Sequence, residues 1–444
     1  MRCQFGRLRF YGAAAAMIIA CNATAETTDA SDPVARLGRS FVSLALQLGQ
    51  VPGHEVEVDS YFGPPALAPA PTAPPQTLAQ LSEAAHVLQA DIGREQQAAA
   101  SERGERLLGQ ASSLASLIDG LLQPHLSFAR EASAVYAMSV PAVDPRTTRR
   151  TLRALDALLP GTGAIAERLA TFQVRFVIAP ERRRAVFERA LQGCRERTLR
   201  HWDLPAGERL DVEWTDSVPA AWQRYRGGGR STLQINTQAV ALVGQALDVA
   251  CHEAYPGHHA QFLMLEQKAG SRGLAVEDTI ALLHSPASVL REGAANFGID
   301  LAFPLAERVA FDRQVLFPLA GIDPALAQRY EQVNALVADL SVAAVPILAA
   351  YRDGRLPSAV AAAELEDSAL IGSPQALLRF LDDEGAYTLG YTAARDRVRR
   401  YVERHSACTG QDPWRVLADV VSTPQVAVLD QEAAQCAAHP DGTG

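Results

Sequence analysis

The residues best suited to chemistry stand in one stretch, Cys251-His252-Glu253-Ala254-Tyr255-Pro256-Gly257-His258-His259-Ala260-Gln261. It holds three histidines and a glutamate, although the whole chain of 444 residues has only 10 histidines. Imidazole and carboxylate groups are common zinc ligands, and a catalytic zinc site keeps one position open for water. The composition of this stretch therefore predicts a zinc site.

The spacing of the histidines departs from the usual zinc helix, in which residues i and i+4 share one face and an intervening glutamate is the general base. Counted from His252, position i+4 is Pro256, which cannot bind a metal and disrupts a regular helix. In an unbroken helix His259 would share the face of His252 but lie ~10.5 Å along the axis. If Pro256 and Gly257 bulge out as two extra residues, His258 takes the i+4 role. We therefore expect His258 to be the second ligand, with His259 behind it or in contact with substrate.

A third protein ligand should lie downstream on another helix. Glu292 is the candidate, within Ser288-Val289-Leu290-Arg291-Glu292-Gly293-Ala294-Ala295-Asn296. The small residues at 293, 294 and 295 would let this helix approach the metal helix closely. A glutamate in a helix is more commonly a solvated residue, so spacing alone leaves both interpretations open.

The pattern His252-Glu253-x-x-Pro256-Gly257-His258-x-x-Gln261 resembles the signature of the DUF885 family, which is grouped with the zincin-like metallopeptidases. Further matches cover most of the chain: Val58-Asp59-Ser60-Tyr61-Phe62-Gly63-Pro64, Tyr225-x-Gly227, Arg230-Ser231, Ile235-Asn236-Thr237, Arg291-Glu292-Gly293 and Tyr387-Thr388-Leu389-Gly390. Ala294 departs from the aromatic residue usual after Glu-Gly. The resemblance implies a zincin-like fold, a Zn²⁺ cofactor and Glu292 as third ligand.

The inferred chemistry is metal-assisted hydrolysis, in which Glu253 accepts a proton from a water that attacks a carbonyl and passes it to the leaving amine. The anionic intermediate needs a donor besides zinc. Tyr387, Tyr391 and Arg395 are spaced i, i+4 and i+8, as on one helical face. The resemblance favours Tyr387 as that donor, and Arg395 would contact substrate. Packing of the three against a neighbouring element is the alternative.

In residues 210–236 the helical spacing of apolar residues gives way to an alternation of polar and apolar residues. Leu210 to Trp214, Ala220 to Tyr225 and Ser231 to Asn236 are short segments typical of strands, and three glycines precede the last one. In zincin folds an edge strand beside the metal helix can hold substrate backbone by strand addition. We therefore expect Ser231 and Asn236 to contact substrate, with the glycines leaving room for a peptide.

The first 20 residues predict a signal peptide. Arg2, Arg7 and Arg9 precede an apolar run from Tyr11 to Ala20 that is too short to be a stable membrane span. The run ends in Ile18-Ile19-Ala20-Cys21, which resembles the lipobox of bacterial lipoproteins, with Cys21 as the lipidated residue. Cleavage at Ala23-Thr24-Ala25 is the alternative. Both predict an exported protein on the periplasmic side. The lipobox also predicts attachment to a membrane, only through the lipid, and Asn22 after Cys21 then favours the outer membrane.

The rest of the chain predicts one mainly α domain. Residues 21–33 form a linker and 34–444 a zincin-like multi-helix domain with a small antiparallel sheet beside the metal helix; its parts are an N-terminal helical part (34–205), a metal-site part (206–404) and a C-terminal tail (405–444). A helix is predicted from Pro33 to Leu48, with Asp32 as its cap and Gly49 as its stop. The apolar segment Val333 to Tyr351 contains Asn334, Asp339 and Pro346, which favours a buried helix over a membrane span.

Four cysteines remain beyond Cys21, namely Cys194, Cys251, Cys408 and Cys436. An oxidising compartment permits bridges among them, and four cysteines allow three complete pairings. A bridge between Cys408 and Cys436 would tie down the C-terminal tail.

The composition restricts the functions open to this chain. The formal net charge of -9 argues against a nucleic-acid partner, because binding to phosphate backbones depends on clustered Lys and Arg. Three functions remain: a zinc peptidase, a non-catalytic metal- or peptide-binding exported lipoprotein, and a zinc hydrolase of non-peptide amides or esters. The intact Glu253 favours an enzyme over a binding protein, because a binding site alone needs no general base, but it does not separate peptides from other amides. The expected partner is a peptide or small amide substrate. The sequence does not indicate an oligomeric state.

Overall fold

Helices form most of the protein. The structure, a computed structural model, describes residues 32–70, 74–123, 126–216, 220–270 and 275–422. The first eleven helices are α1 (Pro33–Leu48), α2 (Leu78–Ala98), α3 (Glu102–Leu122), α4 (Phe128–Tyr136), α5 (Pro145–Leu158), α6 (Ile165–Gln173), α7 (Pro180–Thr198), α8 (Val243–Glu253), α9 (His258–Gly270), α10 (Pro286–Ala302) and α11 (Leu305–Phe311). The later ones are α12 (Phe317–Ala320), α13 (Ala327–Asp339), α14 (Ala344–Arg352), α15 (Ser358–Ala369), α16 (Pro374–Glu384), α17 (Leu389–Thr392), α18 (Ala394–Thr409) and α19 (Pro413–Ser422). The predicted mainly α fold is confirmed.

Helix α1 shows how local sequence sets these boundaries. Its Asp32 side chain accepts a hydrogen bond from the Val34 N–H at 3.0 Å, and Pro33 stands at the first helical position, where a missing N–H costs nothing. The helix ends at Leu48, and the N–H of Gly49 closes it onto Ala45. The predicted bounds of this helix are confirmed at both ends.

The strands of the described residues form two small sheets. β1 (Val58–Tyr61) and β5 (Ile280–Leu282) pair antiparallel. β2 (Arg209–Trp214), β3 (Ala221–Gly227) and β4 (Arg230–Ile235) form a three-stranded sheet in the order β2-β4-β3. Because β4 pairs parallel with β2 and antiparallel with β3, this sheet is mixed, so the prediction of a purely antiparallel sheet is wrong for it and holds for the β1–β5 pair.

Two hydrophobic cores hold the helices together, and helix α10 lies between them. Leu290 and Phe297 belong to one core with α7, α8 and α19, whereas Val289 belongs to the other with α1 to α4 and α14 to α17. Twelve of the 17 residues of α10 are buried and none is exposed, as in a helix that is covered on all sides. Ser285 caps it by accepting the Ser288 N–H at 3.1 Å, and Pro286 opens its first turn. Most side chains on α10, Glu292 among them, are therefore held in the interior.

One helical stretch among the described residues, Pro324–Arg352, is long and apolar enough to cross a membrane by length and composition. It consists of a 3-10 turn at Pro324–Leu326, α13, a second short turn at Ser341–Ala343 and α14. Core helices meet the same criterion, and Tyr330 and Leu348 of this stretch lie fully buried in the two cores. This burial agrees with the buried helix predicted from the sequence.

The C-terminal region is more ordered than a tail. Residues predicted as a tail from 405 onward continue α18 to Thr409 and then form α19. The Trp202 indole N–H donates to the Trp414 carbonyl at 3.0 Å, which fastens α19 to the end of α7. The tail prediction is therefore wrong up to residue 422. The leader with its lipobox Cys21, and Cys436, lie outside the described residues.

Candidate metal centre

A four-residue turn connects α8 to α9 and sets the positions of the histidines. The Gly257 N–H donates to the Cys251 carbonyl, and the Ala260 N–H to the Ala254 carbonyl, both at 3.0 Å. Each bond joins residues six apart, where a regular α-helix joins residues four apart. Two extra residues are therefore accommodated here, as the sequence predicted, and the peptide bond between Tyr255 and Pro256 in this turn is cis.

Gly257 and Gly298 make this turn sterically feasible. A Cβ at Gly257 would lie 1.6 Å from the His252 carbonyl oxygen, closer than any two non-bonded atoms can approach. A Cβ at Gly298 of α10 would lie 2.7 Å from Cγ of Pro256, so the proline ring packs directly on the α10 backbone. The two glycines bring the turn onto the helix that carries Glu292.

His252, His258 and Glu292 converge in the interior. One ligand atom from each lies within 4.8 Å of the others. His252 Nε2 is 3.2 Å from Glu292 Oε2, and His258 Nε2 is 3.3 Å from Glu292 Oε1. The rings of the two histidines stand at 88° to each other with centroids 4.7 Å apart, as two imidazoles facing a common point would. The structure therefore brings together the three predicted ligands, with His258 rather than His259 in the i+4 role.

These three groups fit a zinc ion. Two ligands bound ~2.0–2.1 Å from one ion in tetrahedral geometry stand roughly 3.3–3.4 Å apart, close to the separations measured here. Oxygen Oε2 of Glu292 is buried without a well-formed hydrogen bond, although a histidine nitrogen is close. A buried carboxylate oxygen without a hydrogen-bond donor needs another partner, and a bound cation would supply it. Two imidazoles and a carboxylate are also a donor set that zinc commonly takes.

The ligands shift one another's titration. Burial alone would lower the pKa of His252, but the adjacent Glu292 carboxylate outweighs it and raises that pKa to about 9. For Glu292 burial acts upward, whereas the charge of His258 and contacts with both histidines hold its pKa well below the usual range. Glu292 is therefore a carboxylate at ordinary pH. Zinc binds neutral imidazole, so metal binding here would release protons.

Glu253 follows His252 at the end of α8, next to the ligands. The pKa of Glu253 is raised, mainly by burial and further by the negative charges of Glu292 and Asp59. The positive charges of His252 and His258 oppose this shift but do not cancel it. A carboxyl group whose pKa moves toward neutrality can both accept and return a proton. The position and titration of Glu253 suit the predicted general base.

Tyr387 also contacts Glu292. Its hydroxyl donates to Glu292 Oε1 at 3.0 Å and accepts from Ser288 Oγ at 3.4 Å. Burial, followed by the charge of Glu292, raises the pKa of Tyr387 well above its usual value, so the phenol remains a donor. A Cβ at Gly390 would lie 3.1 Å from Cβ of Glu292, which shows how closely this segment approaches the ligand. The structure thus places Tyr387 beside the metal ligands.

Arg395 has a different position from the one expected. Tyr387 lies in a 3-10 turn, and α17 and α18 meet at Ala393, so the expected single helical face is wrong. The Arg395 guanidinium binds Asp300 of α10 through Nε at 2.9 Å and a terminal nitrogen at 2.8 Å. The positive charge of Arg395, which was expected to contact substrate, is therefore paired with Asp300.

His259 points away from the ligands into a buried polar network. It is 0% exposed, with Nδ1 2.7 Å from Ser231 Oγ and Nε2 2.9 Å from Glu208 Oε2. Because Glu208 is a carboxylate, Nε2 carries the proton and Nδ1 accepts from the serine. Burial raises the pKa of Glu208, but hydrogen bonds from His259, Tyr255 and Arg195 outweigh it and lower the pKa to about 2. His259 thus supports the turn and does not contact substrate, contrary to one of its two predicted roles.

The expected substrate strand is enclosed. β4 is the central strand, so both of its backbone edges are paired and strand addition to it is excluded. Ser231 is buried against Gln223 and His259, and Asn236 caps the turn at Thr237–Val240 through the Gln238 N–H. The predicted strand addition is therefore wrong, and with it the way in which Ser231 and Asn236 were expected to contact substrate.

The three glycines before β4 lie in a turn that is bound to another part of the protein. They all have positive φ and form the turn between β3 and β4, where the Glu266 carboxylate accepts the N–H groups of Gly228 at 2.9 Å and Gly229 at 3.0 Å. Tyr225 donates its hydroxyl to the same carboxylate. The turn is thus fastened to α9 and is not an entrance for a peptide.

A disulfide fastens the metal helix from behind. Cys194 of α7 is bonded to Cys251, the residue before His252, and both are fully buried. This bridge is compatible with the predicted Cys408–Cys436 pair, one member of which lies outside the described residues. It joins the N-terminal helical part to the first ligand.

Sequence reasoning gave no role to Glu208, Asp59 or Arg291. Glu208 has no spacing relationship to the metal stretch, so only the fold could connect it to His259. Asp59 lies in the matched segment before Pro64 and reaches the charges of His258 and Arg291. Arg291 precedes Glu292 in the matched triplet, which was the one signal that could have marked it.

Comparisons with known proteins bear on the fold. No family model matches the sequence, and no curated protein matches it. Among solved structures the chain is similar to one described as "the putative lipoprotein from Colwellia psychrerythraea", with a TM-score of 0.52 and 14% identity over 82% of this chain and 64% of that chain. Another is "a putative lipoprotein of unknown function from Shewanella oneidensis", with a TM-score of 0.46 and 10% identity over 77% of this chain and 72% of that chain. The chain spans less than two thirds of the first of these, and that likeness shows a shared fold.

Proposed function

We propose that this protein is a zinc-dependent hydrolase that cleaves peptide bonds. The convergence of His252, His258 and Glu292 within 4.8 Å, with Glu253 next to them, carries the proposal. The match of the metal stretch to the DUF885 signature supports it. A protein that only binds metal needs the three ligands but has no use for a half-buried glutamate with a raised pKa beside them.

Each residue has a role in this proposal. His252, His258 and Glu292 would hold the ion. A zinc ion there would supply Lewis acidity and lower the pKa of water. Glu253 accepts the proton of the attacking water and returns it to the leaving amine, so that it ends the cycle ionised again. Tyr387 donates a hydrogen bond toward the oxygen that gains negative charge, having exchanged its contact with Glu292 for one with substrate.

The test compares the protein with its Glu253→Gln variant, both loaded with zinc and incubated with a mixture of peptides whose cleaved ends are read by mass spectrometry. Glutamine keeps the shape of the side chain but cannot accept the proton. We expect the same zinc content and a rate lower by about 10²–10⁴-fold. Zinc binding without cleavage by either protein would support the metal- or peptide-binding function instead. Cleavage restricted to non-peptide amides or esters would place the chain among other hydrolases.

We further propose that the mature protein is exported and carries a lipid on Cys21. The support is the leader ending in Ile18-Ile19-Ala20-Cys21, together with the name of the Colwellia protein that shares the fold. Labelling of cells with palmitate should mark the protein and leave a Cys21→Ser variant unmarked. A soluble, unlabelled protein cleaved after Ala25 would favour the ordinary signal peptide.

A further inference from the structure

The most unusual charge beside the metal centre belongs to Arg291. This residue of α10 is 9% exposed, and within the described chain its guanidinium makes no hydrogen bond and no ion pair. Its nearest defined partner is the ring of Phe262, 5.3 Å from the guanidinium carbon to the centroid. Arginine stays charged at every ordinary pH, and a buried charge without a partner is costly.

Two arginines elsewhere in the described residues, the buried Arg183 and the mostly buried Arg308, have partners for their charge. Arg183 donates to the carbonyls of Ile178 and Thr237, and Arg308 is paired with Asp248 at 2.8 Å and Glu331 at 2.6 Å. Arg189 and Arg224 are less buried and also have a guanidinium nitrogen without a partner, so what distinguishes Arg291 is its burial directly beside the proposed metal ligand Glu292. No guanidinium nitrogen of Arg291 is both fully buried and without a hydrogen-bond partner. Because these nitrogens have no partner, they must be slightly exposed, so solvent or a ligand can reach the charged end of Arg291.

The surroundings of Arg291 are those of the catalytic groups. Its charge acts on Asp59, Tyr387 and Glu292, and Asp59 in turn acts on His258 and Glu253. None of these carboxylates forms an ion pair with it: Glu292 faces the histidines, and Asp59 accepts from the Trp222 indole at 3.4 Å. The nearby opposite charge of Asp59 lessens the cost of leaving Arg291 unpaired without neutralising it.

We infer that Arg291 binds a carboxylate of the substrate beside the bond that is cleaved. A guanidinium offers a planar fork of donors that matches a carboxylate, and the ring of Phe262 holds one face of it in place. In a peptide that carboxylate is the free C-terminus or an Asp or Glu side chain. Substrates therefore present a negative charge a short distance from the scissile carbonyl. This inference rests on the proposed function for the identity of the ligand, and binding tests it without turnover.

The experiment measures binding by calorimetry to the zinc-loaded Glu253→Gln protein, in which hydrolysis is blocked. The probes are N-acetyl-Ala-Ala-Ala as free acid and as amide, and the amides of N-acetyl-Ala-Glu-Ala and N-acetyl-Ala-Gln-Ala. We expect one charged probe to bind about 30-fold or more tightly than its neutral partner. Adding Arg291→Met, which keeps the unbranched stem against Phe262, should abolish that difference and leave the zinc content unchanged.

Two further variants separate recognition from packing. Arg291→Lys keeps a charge but not the planar fork, and should lose most of the preference while folding normally. Arg395→Met is the matched control, because that guanidinium is already held by Asp300, and the preference should persist in it.

Each outcome of this experiment has one meaning. Preference for the free acid assigns the C-terminus to Arg291, and preference for the glutamate probe assigns a side chain. Equal binding of charged and neutral probes, no binding of any probe at millimolar concentration, or a preference that survives Arg291→Met overturns the inference. If the protein binds the probes with the expected preference but cleaves no peptide, the inference about Arg291 holds and only the proposed hydrolysis is contradicted.

Discussion

At the scale of single residues, Gly257 is the most constrained position of the site. A Cβ there would meet the His252 carbonyl oxygen at 1.6 Å, and the backbone that would have to move carries both histidine ligands. Gly257→Ala should therefore lower the zinc content to near zero and destabilise the fold by more than about 3 kcal/mol, as a clash with backbone cannot relax cheaply. Zinc analysis and urea unfolding measure the two effects.

Gly93→Ala is the matched control for that substitution. A Cβ at Gly93, inside α2, meets nothing within 4 Å, so alanine there should stabilise the protein by about 0.5–1 kcal/mol and leave zinc binding intact. Normal zinc content in Gly257→Ala would show that the turn does not set the ligand geometry.

The residue types and their spacing predicted part of this site. His252 and His258 follow from the i+4 requirement once Pro256 and Gly257 are counted as an insertion, and the backbone bonds that span six residues show why. Glu292 needed a resemblance, because nothing local distinguishes a ligand glutamate from a solvated one. Ser231 was misassigned because alternation along a strand marks two faces but does not say which face is exposed.

At the scale of elements, the bridge between α7 and α8 is the feature whose removal should be most informative. Replacing Cys194 and Cys251 together by serine frees a loop whose ends are 57 residues apart in sequence. We expect a loss of about 2–4 kcal/mol in the free energy of unfolding and weaker zinc binding, because Cys251 precedes His252. Denaturant unfolding and zinc titration give the two numbers.

Cys408→Ser is the comparison for the bridge, because it leaves the metal helix untouched and should not change zinc affinity. An unchanged zinc affinity in the Cys194→Ser, Cys251→Ser protein would mean that the α8 end is held by packing alone.

Element boundaries were more predictable than their arrangement. Helix α1 carries its own capping residues, so its limits could be read from the chain. The order β2-β4-β3 could not, because parallel pairing of β2 with β4 joins strands that are not consecutive and leaves no local signal. For that reason β4 was expected at an edge and is found in the centre.

At the scale of the whole molecule, His284 joins distant parts of the chain. Its Nδ1 is 2.7 Å from Glu57 and its Nε2 is 2.9 Å from Glu384. Burial alone would lower the pKa of His284, but the two carboxylates outweigh it and raise it to about 9. The native state therefore favours the protonated form, which holds the N-terminal, central and C-terminal segments together beside Tyr387.

This raised pKa predicts the direction of a pH effect. The stabilisation is complete below the unfolded pKa of ~6.5 and is lost as the pH rises through the folded value, up to roughly 3 kcal/mol in all. Between about pH 6 and pH 10, the free energy of unfolding of the unmodified protein should fall by that much more than in a His284→Gln variant. Equal falls in the two proteins would show that the histidine gains no proton affinity on folding.

The long-range organisation was the least predictable part. One core joins α7 and α8 to α19, and the other joins α1 to α17, so each joins segments that are far apart in the chain. Periodicity predicted which residues are apolar and helical, but not which helices meet. The packing of residues 413–422 against Trp202 was therefore missed, and that segment was expected to be a tail.

The zinc content of the purified protein, measured beside that of His258→Ala and His259→Gln variants, tests the central claim most directly. Glutamine at 259 keeps a polar group for the buried partners Ser231 and Glu208. We predict about one zinc ion per chain in the unmodified protein and in His259→Gln, and almost none in His258→Ala. Zinc retained without His258 but lost without His259, or no zinc in the unmodified protein after reconstitution, would contradict the proposed centre.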